Sequence, residues 1–235
     1  MTLLALAIAP GLVICFYIFY KDMYNPEPVG KLLVTFILGA LVVLPAAFIE
    51  QSAASYFDTS IVSTGLFAYG VVALTEEAGK FCVVRFYCYP RPSFDEPLDG
   101  IVYSIMASMG FATVENVLYV RENGFSTAIV RMFLSVPAHA TFAVLMGYYI
   151  GKAKFSVHGT ALLLTGLLIA VFFHGTFDFF LFLQKSPYVT QYVSDGLLFI
   201  GSVISFIVAI RLSKRLITHH QLISKQTFSN TQDPV

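Results

Sequence analysis

A chain of 235 residues with 57% hydrophobic and only 12% charged residues cannot cover a water-facing surface, because a soluble domain carries about 25% charged residues. The formal net charge of zero implies neither nucleic acid nor a strongly acidic partner. The mean hydropathy of +0.76 instead leaves room for several spans of ~20 residues, so the lipid bilayer is the first expected partner.

The first apolar segment covers residues 2–20. It starts MTLLALAIAP, with no basic n-region and no small-x-small cleavage site after it, so it reads as a retained span rather than a cleaved signal peptide. Asn25-Pro26-Glu27-Pro28 breaks it. The second span, 31–50, ends in Glu50 and Gln51, read as interfacial. The third, 62–86, holds Glu76, Glu77 and Lys80 and stops before Tyr89-Pro90-Arg91-Pro92. Asp95, Glu96 and Asp99 follow and read as a solvated turn.

The fourth span, 99–120, carries Phe111, Glu115 and Asn116. Its Ser104, Ala107, Ser108, Gly110 and Ala112 suit close helix packing. His139 lies in the fifth, 129–151, and His174 and Asp178 in the sixth, 159–183, which Lys185-Ser186-Pro187 ends. The seventh covers 191–212. The tail from Ser213 is polar, rich in Ser, Thr and Gln, and expected to be mobile; His158, His219 and His220 fall in loops or tail. The expected fold class is an all-α polytopic bundle of about seven spans, with 1–212 as one transmembrane domain and 213–235 as a polar cytoplasmic tail. With no Trp, the 13 Tyr do the interfacial anchoring. Cys15, Cys82 and Cys88 read as small packing residues, not a disulfide framework.

Basic residues orient the bundle. With the N-terminus outside, cytoplasmic segments hold Lys21, Lys31, Arg85, Arg91, Lys152, Lys154, Arg211, Lys214, Arg215 and Lys225, and outer segments only Arg121, Arg131 and Lys185. Ten against three predicts N-out, C-in.

Ionisable groups inside a bilayer are costly and demand a reason. Glu76 and Lys80 are i,i+4 and share a face, as do His174 and Asp178, where the carboxylate can fix the imidazole's tautomer. In the predicted orientation Glu76 lies near its span's middle, Glu115 is ~7 Å outside its midpoint, and His139 and His174 are ~3–5 Å outside theirs. Asp178 is one turn further out. Four spans thus place acids and imidazoles at similar depth, which predicts one shared, water-accessible site.

The same residues form motifs. Glu76-Glu77-Ala78-Gly79-Lys80 reads E-E-x-x-K, Phe111 to Glu115 reads F-x-x-x-E, and His174 to Asp178 reads H-x-x-x-D. Their order, with DEPLDGIVYS, GFATVENVLY and HGTFDFF around them, resembles the PrsW family of bacterial intramembrane proteases, from IAPGLVICFYIFYKDMYNPEPV to about residue 183. The resemblance implies a multi-pass protein of the bacterial cell membrane that makes the site-1 cut in a single-pass anti-sigma factor under envelope stress such as antimicrobial peptides. A second intramembrane protease then acts, and an extracytoplasmic-function sigma factor is released. The family is distantly similar to CAAX prenyl endopeptidases and Abi proteins, where a glutamate with a His activates water and a downstream His with Asn or Asp stabilises the oxyanion. Here Glu115 stands where their F-x-x-x-H motif ends in His, and His139 is the candidate substitute.

The chemistry of the residues is compatible with that class. No convincing Ser/Lys or Cys/His pair and no H-E-x-x-H motif is present. Hydrolysis then rests on Glu76 as base, with Glu77 beside it, Glu115 and His139 completing the water site, and His174, oriented by Asp178, at the oxyanion. Lys80 limits carboxylate repulsion; Phe111 and Asn116 support. Glu76, Glu115, His139 and His174 are also candidate ligands for a divalent metal such as zinc. A proton-coupled secondary transporter would use similar buried groups, but no internal repeat or matched pair of broken helices is seen. A seven-helix receptor would not need clustered acids.

Overall fold

The structure is a computed structural model and describes residues 2–228; residues 229–235 of the expected tail lie outside the described residues. The described residues form helices α1 (Thr2–Lys21), α2 (Val29–Ala54), α3 (Ile61–Cys88), α4 (Pro97–Phe133), α5 (Ser135–Lys154), α6 (Gly159–Leu183) and α7 (Asp195–Phe228), with a single turn at Pro187–Thr190. No strand occurs among them.

Among the described residues six stretches are long and apolar enough to cross a membrane. One of them, Pro97–Lys154, has 58 residues, more than two spans of ~20, and it turns back on itself. Gly124, at φ +78°, breaks the helical path within α4, a backbone conformation that suits a residue without Cβ. Leu134 then separates α4 from α5. Counting two passes there gives seven, as the hydropathy predicts.

α4 is the axis of the bundle. Its residues from Leu98 to Thr113 are buried without interruption, against α1 and α2 on one side and α5 on the other. The small residues explain how close the helices come. A Cβ on Gly39 of α2 would lie 2.0 Å from the Ala107 carbonyl oxygen, and one on Gly110 would lie 1.9 Å from that of Phe36. No side chain fits at this crossing, which is how small residues draw membrane helices together. The outer faces of α1 and α2 present Phe16, Leu44 and Phe48, all exposed, as a surface for acyl chains.

Two expectations are corrected. α7 does not end near 212 in a mobile tail; it continues to Phe228. Ser213, Ile217, His220 and Ser224 recur at helical spacing and are buried, while Lys214, Arg215 and Lys225 stay exposed. A sliding hydropathy average loses such a stripe. The stripe docks by named contacts: Ser213 Oγ donates to the Thr141 carbonyl (3.1 Å), His220 stacks on Tyr148 (4.2 Å between centroids), and Gln221 donates to the Lys21 carbonyl (2.9 Å).

The turn at Asp95, Glu96 and Asp99 is not solvated as a whole. Asp95 is exposed, but Glu96 and Asp99 are buried. They form a capping box at the start of α4, where Asp99 Oδ2 accepts from the amides of Asp95 and Glu96, both at 2.8 Å. Cys15, Cys82 and Cys88 are free thiols.

Candidate active site

Within α3 the α-helical stretch Leu74–Val83 is bracketed by two wider π-helical stretches, Leu66–Ala73 and Val84–Cys88. Such i→i+5 segments reset a helix's phase and are frequent at functional sites. Between them Glu76, Glu77 and Lys80 all turn inward, and Lys80 and Glu77 are fully buried.

Lys80 Nζ is the hub. It donates to Glu76 Oε2 (3.0 Å), Glu77 Oε1 (2.8 Å) and His139 Nδ1 (3.2 Å), and lies 4.1 Å from the centre of the Phe111 ring. Phe111 therefore serves as a cation–π floor for the ammonium. An ammonium has no acceptor, so His139 Nδ1 carries a lone pair turned into the cluster, and its Nε2–H donates outward to Glu115 Oε2 at 3.0 Å.

His174 faces His139 edge-on, 5.0 Å between ring centroids, and is buried beneath a stacked Phe142 at 5.1 Å. Its Nδ1 is 2.8 Å from Glu77 Oε1 and its Nε2 is 3.2 Å from Asp178 Oδ2. Carboxylates thus address both ring nitrogens. Glu76 Oε2 is 3.9 Å from both His139 Nδ1 and His174 Nε2. One donor atom each of Glu76, Glu77, His139 and His174 lies within 4.8 Å of the others.

The structure thus brings Glu76, Glu77, Lys80, His139, His174 and Asp178 together, although four helices supply the set with Glu115. Glu115, a metal candidate by sequence, sits behind His139 and outside the four converging donors. Asn116 lies further out: its Nδ2 donates to the Ala7 carbonyl (2.9 Å), and its Oδ1 accepts from Arg131 Nε (3.0 Å).

Arg131 is the functional candidate that sequence reasoning missed. It looked like one more outer-loop charge, but its Nη2 donates to Glu115 Oε2 at 2.7 Å and its guanidinium lies 4.2 Å from the Tyr119 ring centre. The fold-back at Gly124 brings it there, and nothing local announces that turn except the glycine itself. Glu50, read as interfacial, lies at the same place: with Gln51, Arg131, Ser135 and Lys185 it lines a cleft of about 430 Å³ that reaches Glu76, His139, His174 and Asp178. The cleft opens where α2, α4 and α6 end and α5 begins. Glu77 and Lys80 do not line it; they form its foundation.

A bundle of membrane-crossing helices with two carboxylates, two imidazoles and an ammonium at the base of an open cleft is a polytopic membrane protein with an acid–imidazole centre. The sequence profile of the PrsW family intramembrane metalloproteases matches residues 27–210. The "Protease PrsW" of Geobacillus kaustophilus is 42% identical over 185 residues, covering 78% of this chain and 81% of that protein. Those of Bacillus subtilis and Oceanobacillus iheyensis are 37% and 40% identical, covering 76% and 77% of this chain and 82% and 83% of theirs. No solved structure matches the chain. The chain belongs to the PrsW family, and it is a membrane-embedded protease of the bacterial cell membrane.

Groups that orient a site's imidazole from behind typically matter 10–100-fold. Arg131→Met is therefore expected to slow cleavage of a membrane peptide by about 10–100-fold. Glu115 would then be left to His139 alone. Rate and melting temperature are to be measured together. An undiminished rate in a folded variant would remove Arg131 from the machinery.

Proposed function

We propose that this protease makes the first, site-1 cut in a single-pass membrane anti-sigma factor, so that an extracytoplasmic-function sigma factor is released during envelope stress. The reading rests on the PrsW membership and on one observation above all: Glu76 and His174, from separate helices, meet at the base of a cleft open at one end of the bundle.

In this reading Glu76 takes the proton of the attacking water. It is the carboxylate of the acidic pair that lines the cleft, while Glu77 is tied to Lys80 and His174. Lys80 holds both carboxylates in place and offsets their repulsion. His174, held at Nδ1 by Glu77, shares its Nε2–H between Asp178 and the oxygen that becomes negative. Glu115, backed by Arg131, fixes His139 with its Nδ1 lone pair facing inward.

The donor set also fits a divalent metal such as zinc, which takes nitrogen and oxygen ligands. Two carboxylates and two imidazoles converge, and Glu77 Oε2 is a buried carboxylate oxygen without a hydrogen-bond partner. Glu76, His139 and His174, which line the cleft, would hold the ion, with Glu77 and Lys80 behind them. When bound, the metal supplies Lewis-acid polarisation of the water and the scissile carbonyl.

The orientation we propose is N-terminus outside and C-terminus cytoplasmic, which turns the cleft outward. A bond at or just outside the outer boundary of the substrate helix is then the one attacked, since carbonyls at a frayed helix end are not locked in i→i−4 hydrogen bonds. Two measurements test them. In a background without Cys15, Cys82 and Cys88, an impermeant thiol reagent added to cells is expected to label Gln191→Cys and not Val157→Cys; both positions are exposed, at opposite ends of α6. Mass spectrometry of the retained substrate fragment is expected to find its new terminus at the outer edge of the span. Reversed labelling, or a cut deep in the span or on its cytoplasmic side, would refute the proposal.

A further inference from the structure

At the other end of the bundle lies a second set of buried acids that the proposed chemistry does not use. Asp22 follows α1, Glu27 lies in the α1–α2 connection, and Glu96 and Asp99 start α4. All four are buried, Asp22 and Asp99 completely. Sixteen residues of α4 separate Asp99 from Glu115, about 24 Å at 1.5 Å per residue.

Half of this set's hydrogen-bonding capacity is accounted for. Asp22 Oδ2 accepts from the Glu27 amide (2.8 Å) and Glu96 Oε1 from Ser224 Oγ (2.8 Å). Asp99 Oδ2 takes the two amides of the capping box, and Glu27 Oε2 accepts from Tyr103. The other oxygen of each of three residues, Asp22 Oδ1, Glu96 Oε2 and Asp99 Oδ1, is buried without a hydrogen-bond partner. Buried carboxylate oxygens left so are costly. A capping box explains one oxygen each of Glu96 and Asp99 and none of the three orphans.

The three residues also offer one oxygen each within 4.8 Å of one another. Oxygens held at 2.3–2.6 Å around a common calcium-sized ion lie no further apart than roughly that span. Burial, with repulsion among the acids added to it, pushes the Asp22 carboxyl up to about 8 and that of Glu96 to about 7. No imidazole or thiol belongs to the set, so its chemistry is all-oxygen and hard, unlike that of the candidate active site.

We propose that Asp22, Glu96 and Asp99 form a structural site for a hard divalent cation of the calcium–magnesium class. The ion clamps the end of α1 to the start of α4. Through Ser224, which bonds Glu96, it also fastens the end of α7 to the same point. The site acts on the stability of this end of the bundle, and proteolysis does not pass through it.

The test uses the full-length protein in detergent, stripped with EDTA and dialysed, with calcium and magnesium added separately. At 100-fold excess over the dissociation constant, one of the two ions is expected to raise the melting temperature by about 5–10 °C. Equilibrium dialysis with radioactive calcium, or competition by magnesium, is expected to give one equivalent per chain. His139→Ala with His174→Ala keeps that equivalent, which separates this site from the proposed active site. Glu96→Gln and Asp99→Asn each weaken it by at least about tenfold, while both variants without ion melt no lower than the stripped wild type, because a neutral amide relieves the crowded charge. A wild type with neither a shift nor a bound equivalent would overturn the proposal and mean that the acids are held protonated. Binding that survives both substitutions would overturn it as adventitious. Should a variant fail to fold, the wild-type measurement still decides.

Discussion

Glu76→Gln is expected to reduce cleavage of a membrane-spanning peptide by roughly 10²–10⁴-fold, the usual contribution of a positioned base. The protein should still accumulate in the membrane. Gln keeps the size of Glu76 and an oxygen for the Lys80 ammonium, and Glu77 remains 2.8 Å from that ammonium as its charged partner. The buried cation is therefore not orphaned, and the loss reads as lost chemistry. Glu77→Ala should also abolish cleavage, but for a different reason. It strips Lys80 and His174 of a fully buried partner, a change that costs about 3–5 kcal/mol in buried ion pairs. The two variants should separate in a melting experiment, with Glu77→Ala the less stable. Near-normal cleavage by Glu76→Gln would overturn the assignment of the base.

His174→Ala is expected to lower the rate by roughly 10²–10³-fold, the effect of losing one preorganised oxyanion donor. Asp178→Asn should lose less. Its side-chain oxygen still accepts from the His174 Nε2–H, now 3.2 Å from Asp178 Oδ2, and Glu77 continues to hold Nδ1. What disappears is only the charge that supports a protonated ring. Rates for the two variants, measured at equal amounts of folded protein, decide the matter. An equal or greater loss in Asp178→Asn would make Asp178 itself the reacting group and His174 its attendant.

Much of this arrangement is local enough to be read from residues. Apolar runs of bilayer length fix the helices, because length and hydrophobicity are properties of a segment alone. The pairs Glu76–Lys80 and His174–Asp178 follow from helical spacing, and both contacts are present. The cost of burying such groups is likewise a property of the residue, and one cleft serves Glu76, Glu115, His139, His174 and Asp178 together.

The rest depends on contacts between distant segments. The acidic turn at Glu96 and Asp99 looks like any solvated loop until the α1–α2 connection and the far turns of α7 meet it, some 70 and 130 residues away in sequence. Hydropathy hides the α7 extension because its stripe of Ser213, Ile217, His220 and Ser224 is mostly polar, and only the partners it meets make it buried.

By itself, then, the sequence determined that the chain crosses the membrane about seven times, which groups it buries there, and the PrsW motifs that they compose. Only the tertiary structure decided which nitrogen of His139 faces the cluster, that Glu115 stands behind it, and that Arg131 swings back past Gly124 to hold Glu115. The physical reason is that spacing along one helix fixes which side chains share its face. Which helix that face meets is set by close approaches such as Gly39 on Ala107 and Gly110 on Phe36, and those exist only once the helices have packed.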